Sequence, residues 1–301
     1  MSVPFHIYQS IYKLWAFQTR SSESYSLSPP SRFTMTATME RDYVTDVSLD
    51  GLKPFSLSSA VPCQYRFVDT KHFMKDARLS VLAMPELPSV PYAAVSHVWR
   101  VLKSIPPTEK AIEVKGIEEY PKIPTGLLKT ICIAASTQNC TLLWLDKLCV
   151  RQDNYSSQDG KKDNEWQVEQ MHNIYSKCSV CLVVPGGLGR LSSLDVKTIW
   201  LDRSWTLQEA LAPPVVMIIF EWDKGNAILQ HNASVILQEI VPGKVAVAHL
   251  KALLEASLKA EVKLVRETHD KDWDDNPSQM VIELLSWHFW EPLTTRTKKA
   301  V

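Results

Sequence analysis

The sequence has no excess of charge of either sign: 33 Lys and Arg stand against 33 Asp and Glu. Without a basic field nothing would hold a phosphate backbone or an anionic membrane, so nucleic acid is not the expected partner. Long apolar runs are missing too. The longest is the six residues 215–220, far short of the roughly 18 needed to span a bilayer. No membrane span is expected. Cysteine is sparse, with six thiols at 63, 132, 140, 149, 178 and 181, scattered through apolar segments rather than packed as in a disulfide-stapled secreted scaffold. This usage points to reduced thiols inside a cell, and a cytoplasmic location is expected. Internal repeats and coiled-coil heptads are absent as well. The first 34 residues contain no aspartate and one glutamate, Glu23, and they lack a secretory h-region. Three readings stand open for this stretch: an unstructured extension, a targeting segment, or a region upstream of a true start at Met35 or Met39.

What is present is a chain of 301 residues, 45% apolar, enough to bury one substantial core or a core with a smaller annex. Between Pro91 and Phe220 short apolar runs alternate with helical patterns, which implies crossover units and a mainly parallel sheet. Residues 92–96, 142–146, 180–184 and 215–220 are the expected strands. Because they are nearly continuous apolar runs, both of their faces should be covered by helices. Ile123, Leu127, Leu128, Ile131 and Ala135 recur at helical spacing, as do Trp166, Met171, Ile174 and Tyr175. A short helix over 205–211 is expected to stop at Pro213-Pro214. Residues 40–90 are expected to form an irregular or short-stranded lead-in. Helical pattern returns over 227–237, 245–265 and 280–289, with turn signals at Pro242-Gly243 and Asn276-Pro277. The expected organisation is an N-terminal extension over 1–60, an α/β domain over 61–222 and a helical annex over 223–301.

In open parallel sheets ligands bind beyond the carboxyl ends of the strands, where the candidate loops begin at Ser96, Asp146 and Pro185. The run Pro185-Gly186-Gly187-Leu188-Gly189-Arg190 would let backbone N–H groups approach a phosphate, with Arg190 to pair with it; the alternative is a plain loop. Asp146 is either functional or the side chain that caps its own loop. Ser96 and His97 are adjacent on a strand and point to opposite faces, so they do not form a nucleophile and base by themselves, although His97 can reach a ligand from the strand end. Trp99 and Trp205 are expected in the core, since indoles fill large volumes. No metal site is expected: Cys178 and Cys181 form a single CxxC running into a buried strand, and Glu169 with His172 is one pair where a di-metal bundle needs two.

Three blocks carry a family resemblance: YAAVSHVWR at 92–100, LLWLDKLCVRQDN at 142–154 continuing into EWQVEQMHNIYSKCSVCLVV at 165–184, and WLDRSWTLQEAL at 200–211. In order and spacing they resemble the fungal heterokaryon incompatibility (HET) domain family. The chain departs from the family pattern where Arg100 and Val101 follow Trp99 in place of a glycine, and where Arg151 rather than an acidic residue precedes Gln152. HET domains are in turn similar to the Toll/interleukin-receptor (TIR) family, which implies a flavodoxin-like parallel sheet flanked by helices. Some members of that family cleave NAD with the glutamate of a Trp-Cys-Leu-x-Glu motif, which Trp205-Thr206-Leu207-Gln208-Glu209 matches with threonine for cysteine. The resemblance implies a signalling or effector domain for non-self recognition and programmed cell death, with self-association and other incompatibility proteins as partners and no required cofactor. It also implies an alternative activity, NAD hydrolysis with Glu209 as the catalytic carboxylate. Because Trp205 and Glu209 are four apart, a helix would put the indole and the carboxylate on one face. In the structural alternative Glu209 bonds backbone or Arg203 and fixes the helix to the sheet. A short or truncated member, inactive or regulatory, is a further reading.

Overall fold

The structure, a computed structural model, describes residues 43–49, 54–99, 110–153, 156–193, 196, 198–200, 203, 205–223, 227–231, 234–235, 237–253 and 262–266. All of them lie in one contact unit, Tyr43–Val301. In chain order the strands are β1 (Tyr43–Ser48), β2 (Tyr65–Asp69), β3 (Arg78–Met84), β4 (Tyr92–His97), β5 (Ala111–Ile112), β6 (Ile123–Pro124), β7 (Leu142–Trp144), β8 (Val180–Val184), β9 (Val216–Glu221), β10 (Ala227–His231), β11 (Ser234–Val235), β12 (Leu237–Val241), β13 (Val245–His249) and β14 (Val262–Arg266). The helices are α1 (Thr70–Asp76), α2 (Thr125–Thr137), α3 (Asp146–Cys149), α4 (Gln158–Lys177) and α5 (Thr206–Leu211).

Nine strands form one sheet in the order β1-β3-β2-β7-β4-β8-β9-β13-β12. Its centre, β7-β4-β8-β9, is parallel and consists of the four strands expected from the apolar runs. The flanks are antiparallel: β2 pairs with β7, β3 with β2 and β1 with β3 on one side, while β13 pairs with β9 and β12 with β13 on the other. The sheet is therefore mixed rather than mainly parallel. Both β4 and β8 are buried along their whole length, as parallel strands covered on both faces must be.

Helix ends follow local chemistry. Asp69 caps α1 by accepting from the Lys71 and His72 amides at 3.0 and 3.2 Å, and Ser157 caps α4 by accepting from Gly160 N at 2.8 Å. Pro124 stands at the N-cap of α2, where its missing N–H is not needed. The inward stripe of α4 meets the sheet through Tyr175, whose hydroxyl donates to Val95 O at 3.1 Å and whose ring lies edge-on to Trp144 at 5.5 Å. Trp166 of α4 packs edge-on to Tyr65 of β2 at 4.9 Å.

Of the stretches expected to be helical, 227–237 and 245–265, the described residues 227–231, 234–235, 237, 245–249 and 262–265 are in strands instead, while 250–253 are helical. Pro242-Gly243-Lys244 closes a three-residue hairpin between β12 and β13, with Gly243 at φ +63°. That left-handed conformation suits glycine and fixes the register of the pair. The β10 and β14 strands pair antiparallel in a separate small sheet with β11. The helical pattern over 280–289 lies outside the described residues, as does the extension ahead of Tyr43. No helix among the described residues is long and apolar enough to cross a membrane.

Candidate functional site

The carboxyl end of β4 delivers Ser96 and His97, both buried, to opposite faces of the sheet, and each begins its own network. On one face the Trp200 indole N–H donates to Ser96 Oγ at 2.6 Å, and Ser96 Oγ donates to Glu209 Oε2 at 2.5 Å. Arg203 completes the group, with Nη1 3.1 Å from Glu209 Oε2 and Nη2 3.4 Å from Oε1. Thr206 donates through Oγ1 to the Trp200 carbonyl and ties α5 to the segment before it.

Glu209 is only 3% exposed. Burial pushes its carboxyl above the usual carboxylate range, while the Arg203 charge and the Ser96 hydroxyl pull it back. The Ser96 hydroxyl has one hydrogen, and that hydrogen is given to the carboxylate. The arrangement is a hydrogen-bonded ion pair between Arg203 and Glu209, the pairing foreseen as the structural alternative for this glutamate.

On the other face Asp146 opens α3 just beyond β7. Its Oδ1 lies 2.6 Å from His97 Nε2 and accepts from the Lys147 amide at 2.6 Å, while Oδ2 accepts from Trp99 Nε1 at 2.8 Å. His97 Nδ1 lies 3.1 Å from the Val98 carbonyl, so both ring nitrogens face oxygen atoms. Burial raises the Asp146 carboxyl, but the charge and hydrogen bond of His97, the Lys147 amide and the Lys147 ammonium outweigh it and hold the group below its usual range. Asp146 therefore holds its own turn, as the structural reading of it has it, and also binds His97 and Trp99 from the neighbouring strand.

The indole of Trp205 and the Glu209 carboxylate do not share a face as a wall and a base. Trp205 is 44% exposed at the N-cap of α5. The helix turns Thr206, Glu209 and Ala210 inward, which leaves Trp205 and Leu211 outside. Trp205 is thus not a core residue. Trp99 is half-buried, stacked on His97 at 6.0 Å and edge-on to Tyr120 at 5.1 Å.

The glycine run after β8 forms a buried turn. Gly187 takes φ +84° and its amide donates to Val184 O at 3.0 Å, while a Cβ on Gly186 would stand 2.0 Å from Ser192 Oγ. Arg190 extends from this turn to Glu221 of β9, Nε to Oε1 at 2.9 Å. Among the described residues no group of three or more His, Cys, Asp or Glu side chains could hold a metal ion. Cys178 and Cys181 are both buried, and burial pushes both thiols up.

Lys147, Tyr120 and Trp200 carry parts of these networks that the sequence did not single out. A lysine flanked by Asp146 and Leu148 gives no sign of burial unless the turn after β7 is known to fold back on the sheet. No curated protein and no solved structure matches the chain. Residues 92–198, which contain Ser96, His97, Trp99, Asp146 and the glycine turn, match the model of the family described as Heterokaryon incompatibility protein (HET), and that match suggests a role in heterokaryon incompatibility.

Proposed function

We propose that the chain is an intracellular signalling or effector domain of heterokaryon incompatibility that self-associates and thereby triggers programmed cell death. The family match over 92–198 carries this reading. The state of Glu209 supports it: a carboxylate 3% exposed and bonded to Arg203 and Ser96 is engaged in holding α5, with no face turned to a substrate. Apolar side chains on and just before α5 support assembly as the trigger, with Ile199, Trp205 and Leu211 exposed at 40%, 44% and 37%. Exposed large apolar groups gathered in one stretch suit a protein–protein contact better than they suit solvent.

A second reading, NAD hydrolysis by a TIR-like site, is favoured by one observation. Glu209 lies at the carboxyl end of a parallel strand with its proton affinity raised by burial, and a carboxylate there can stabilise an oxocarbenium-like state once assembly has rearranged its partners.

Expression of the chain in a fungal host, with cell death and intracellular NAD recorded together, separates the two. Under the assembly reading Glu209→Gln keeps killing and NAD stays level, whereas Trp205→Ser weakens self-association at least tenfold and abolishes killing while circular dichroism stays native. If Glu209→Gln stops both killing and NAD loss in a folded protein, the enzyme reading replaces the first.

A further inference from the structure

Outside the Glu209 network, two side chains among the described residues are buried with nothing to bond, the Trp144 indole and the Lys147 ammonium, and the second carries a charge. Lys147 is 1% exposed, and its Nζ has no hydrogen-bond partner among the described residues. Two aromatic faces hold the nitrogen in place: the Trp99 ring at 5.2 Å and the Tyr120 ring at 5.5 Å from their centroids. Such contacts offset part of the cost of taking an ammonium out of water, but they leave its N–H groups without oxygen acceptors. Burial holds the ammonium below the ordinary lysine range, and the nearby charges of Asp146 and Glu119 only partly restore it.

Lys147 lines a cavity of about 200 Å³ together with Ser56, Ser58, Gly116, Glu118, Gln152 and Asp153. The part of the wall formed by Gly116 and Gln152 is tightly built. Gly116 takes φ +94°, and a Cβ there would stand 2.3 Å from Gln152 O, so the turn at Gly116 fits against Gln152 only as glycine. The acidic groups lining the cavity are already engaged: Asp153 pairs with Arg151 at 2.7 Å, and Glu118 accepts from Gly116 N at 2.9 Å. Ser58 Oγ accepts from Ser56 Oγ at 3.0 Å, which leaves its own hydrogen to give. Among the described residues the lining thus offers two lysines outside any ion pair, the buried Lys147 and the exposed Lys115, and one uncommitted hydroxyl, while its carboxylates are Asp153, paired with Arg151, and Glu118, held by the Gly116 amide.

From this we infer that the cavity binds a small oxyanion, a carboxylate or phosphate group, on the Lys147 ammonium with the Ser58 hydroxyl as second donor. The volume sets the scale. It is below the range of roughly 300–1,000 Å³ typical of drug-sized ligands and corresponds to some six or seven waters at about 30 Å³ each. A headgroup or a metabolite of a few heavy atoms fits, and a whole dinucleotide does not. The site shares no residue with the Glu209 network and does not depend on the function proposed above.

The test is a titration of the full chain with sodium acetate and, separately, sodium phosphate, against sodium chloride at matched ionic strength. Binding is followed by the thermal midpoint and by amide shifts of residues 114–118 and 147–152. The expected result is saturable binding of at least one anion, with affinity at least tenfold lower in Lys147→Met and about threefold lower in Ser58→Ala. Response to acetate alone assigns a carboxylate, response to phosphate alone a phosphate group, and response to both an oxyanion site of either kind. Lys147→Met removes a buried, unpaired charge and is expected to fold; Ser58 is exposed, so Ser58→Ala reports on the site in any case. No saturable response to either anion, or equal affinity in wild type and both variants, overturns the proposal.

Discussion

Replacing Asp163 with alanine is expected to cost about 3–5 kcal/mol of stability, since it strands a guanidinium in the interior. Arg66 of β2 and Asp163 of α4 are both fully buried. The guanidinium forms a fork, with Nη2 2.6 Å from Oδ1 and Nη1 2.9 Å from Oδ2, and it also donates to the carbonyls of Val61 at 2.8 Å and Cys149 at 3.1 Å. Asp163 in turn accepts from the Cys63 amide at 2.7 Å. One ion pair therefore joins an antiparallel strand, the longest helix and the end of α3. The exposed pair Arg78–Asp46 at 2.7 Å is the control, because solvent and salt screen it. Urea unfolding should show a large loss for Asp163→Ala and almost none for Asp46→Ala, and equal losses would refute a structural role for the buried pair. A double replacement, Arg66→Met with Asp163→Leu, should recover much of the loss, because it removes both charges rather than one.

Mild alkali is expected to unfold the protein under reducing conditions. Burial pushes the thiols of Cys149 and Cys178 up to about 12 and that of Cys140 to about 11, and it raises Cys132 and Cys181 as well. In the unfolded chain a thiol ionises near 8.5. A raised folded pKa gives stability that is complete below the unfolded value and drains away as pH climbs toward the folded one. At pH 10 each of Cys140, Cys149 and Cys178 contributes a loss of about 2 kcal/mol, about 6 kcal/mol for the three, which is comparable with the whole stability of an ordinary domain. Lys147 acts with the opposite sign. Its folded pKa is lowered, so stability rises with pH from that value up to the ordinary lysine range near 10.4, but it is one group against several. Denaturant midpoints at pH 7.5, 9 and 10 in the presence of a reductant measure the balance. A midpoint that stays level to pH 10 would show that these thiols are not held protonated by the fold.

The parallel centre of the sheet was legible because β4, β7, β8 and β9 are apolar runs of strand length bounded by turns or loops, and strands buried on both faces have no other pattern to show. The strands β10, β11 and β13 were misread because their alanines, valines and leucines also satisfy helical spacing. The hairpin signal Pro242-Gly243 was visible, and joined to the β-branched residues on either side it pointed to strands. The contact of His97 with Asp146 was not legible, although both were singled out. It depends on β4 and β7 being neighbours, and strand order leaves no local mark. The Arg203–Glu209 pair was legible because both partners lie within one short segment. Burial of Lys147 was hidden for the opposite reason: it is created by Trp99 and Tyr120, which come from distant segments.

The family match begins at Tyr92 and ends at Thr198, and so takes in β4, β7 and β8 while leaving out the strands that hydrogen-bond to them on either side. Cut at those limits, the segment would turn β7 and β8 from interior strands into two open edges, each an apolar run with unpaired amides and carbonyls. Such edges template pairing with other chains. A fragment bounded by the match should therefore aggregate on expression, whereas one running from Tyr43 to His249 would keep both margins closed, β7 by the antiparallel β2 and β8 by the parallel β9.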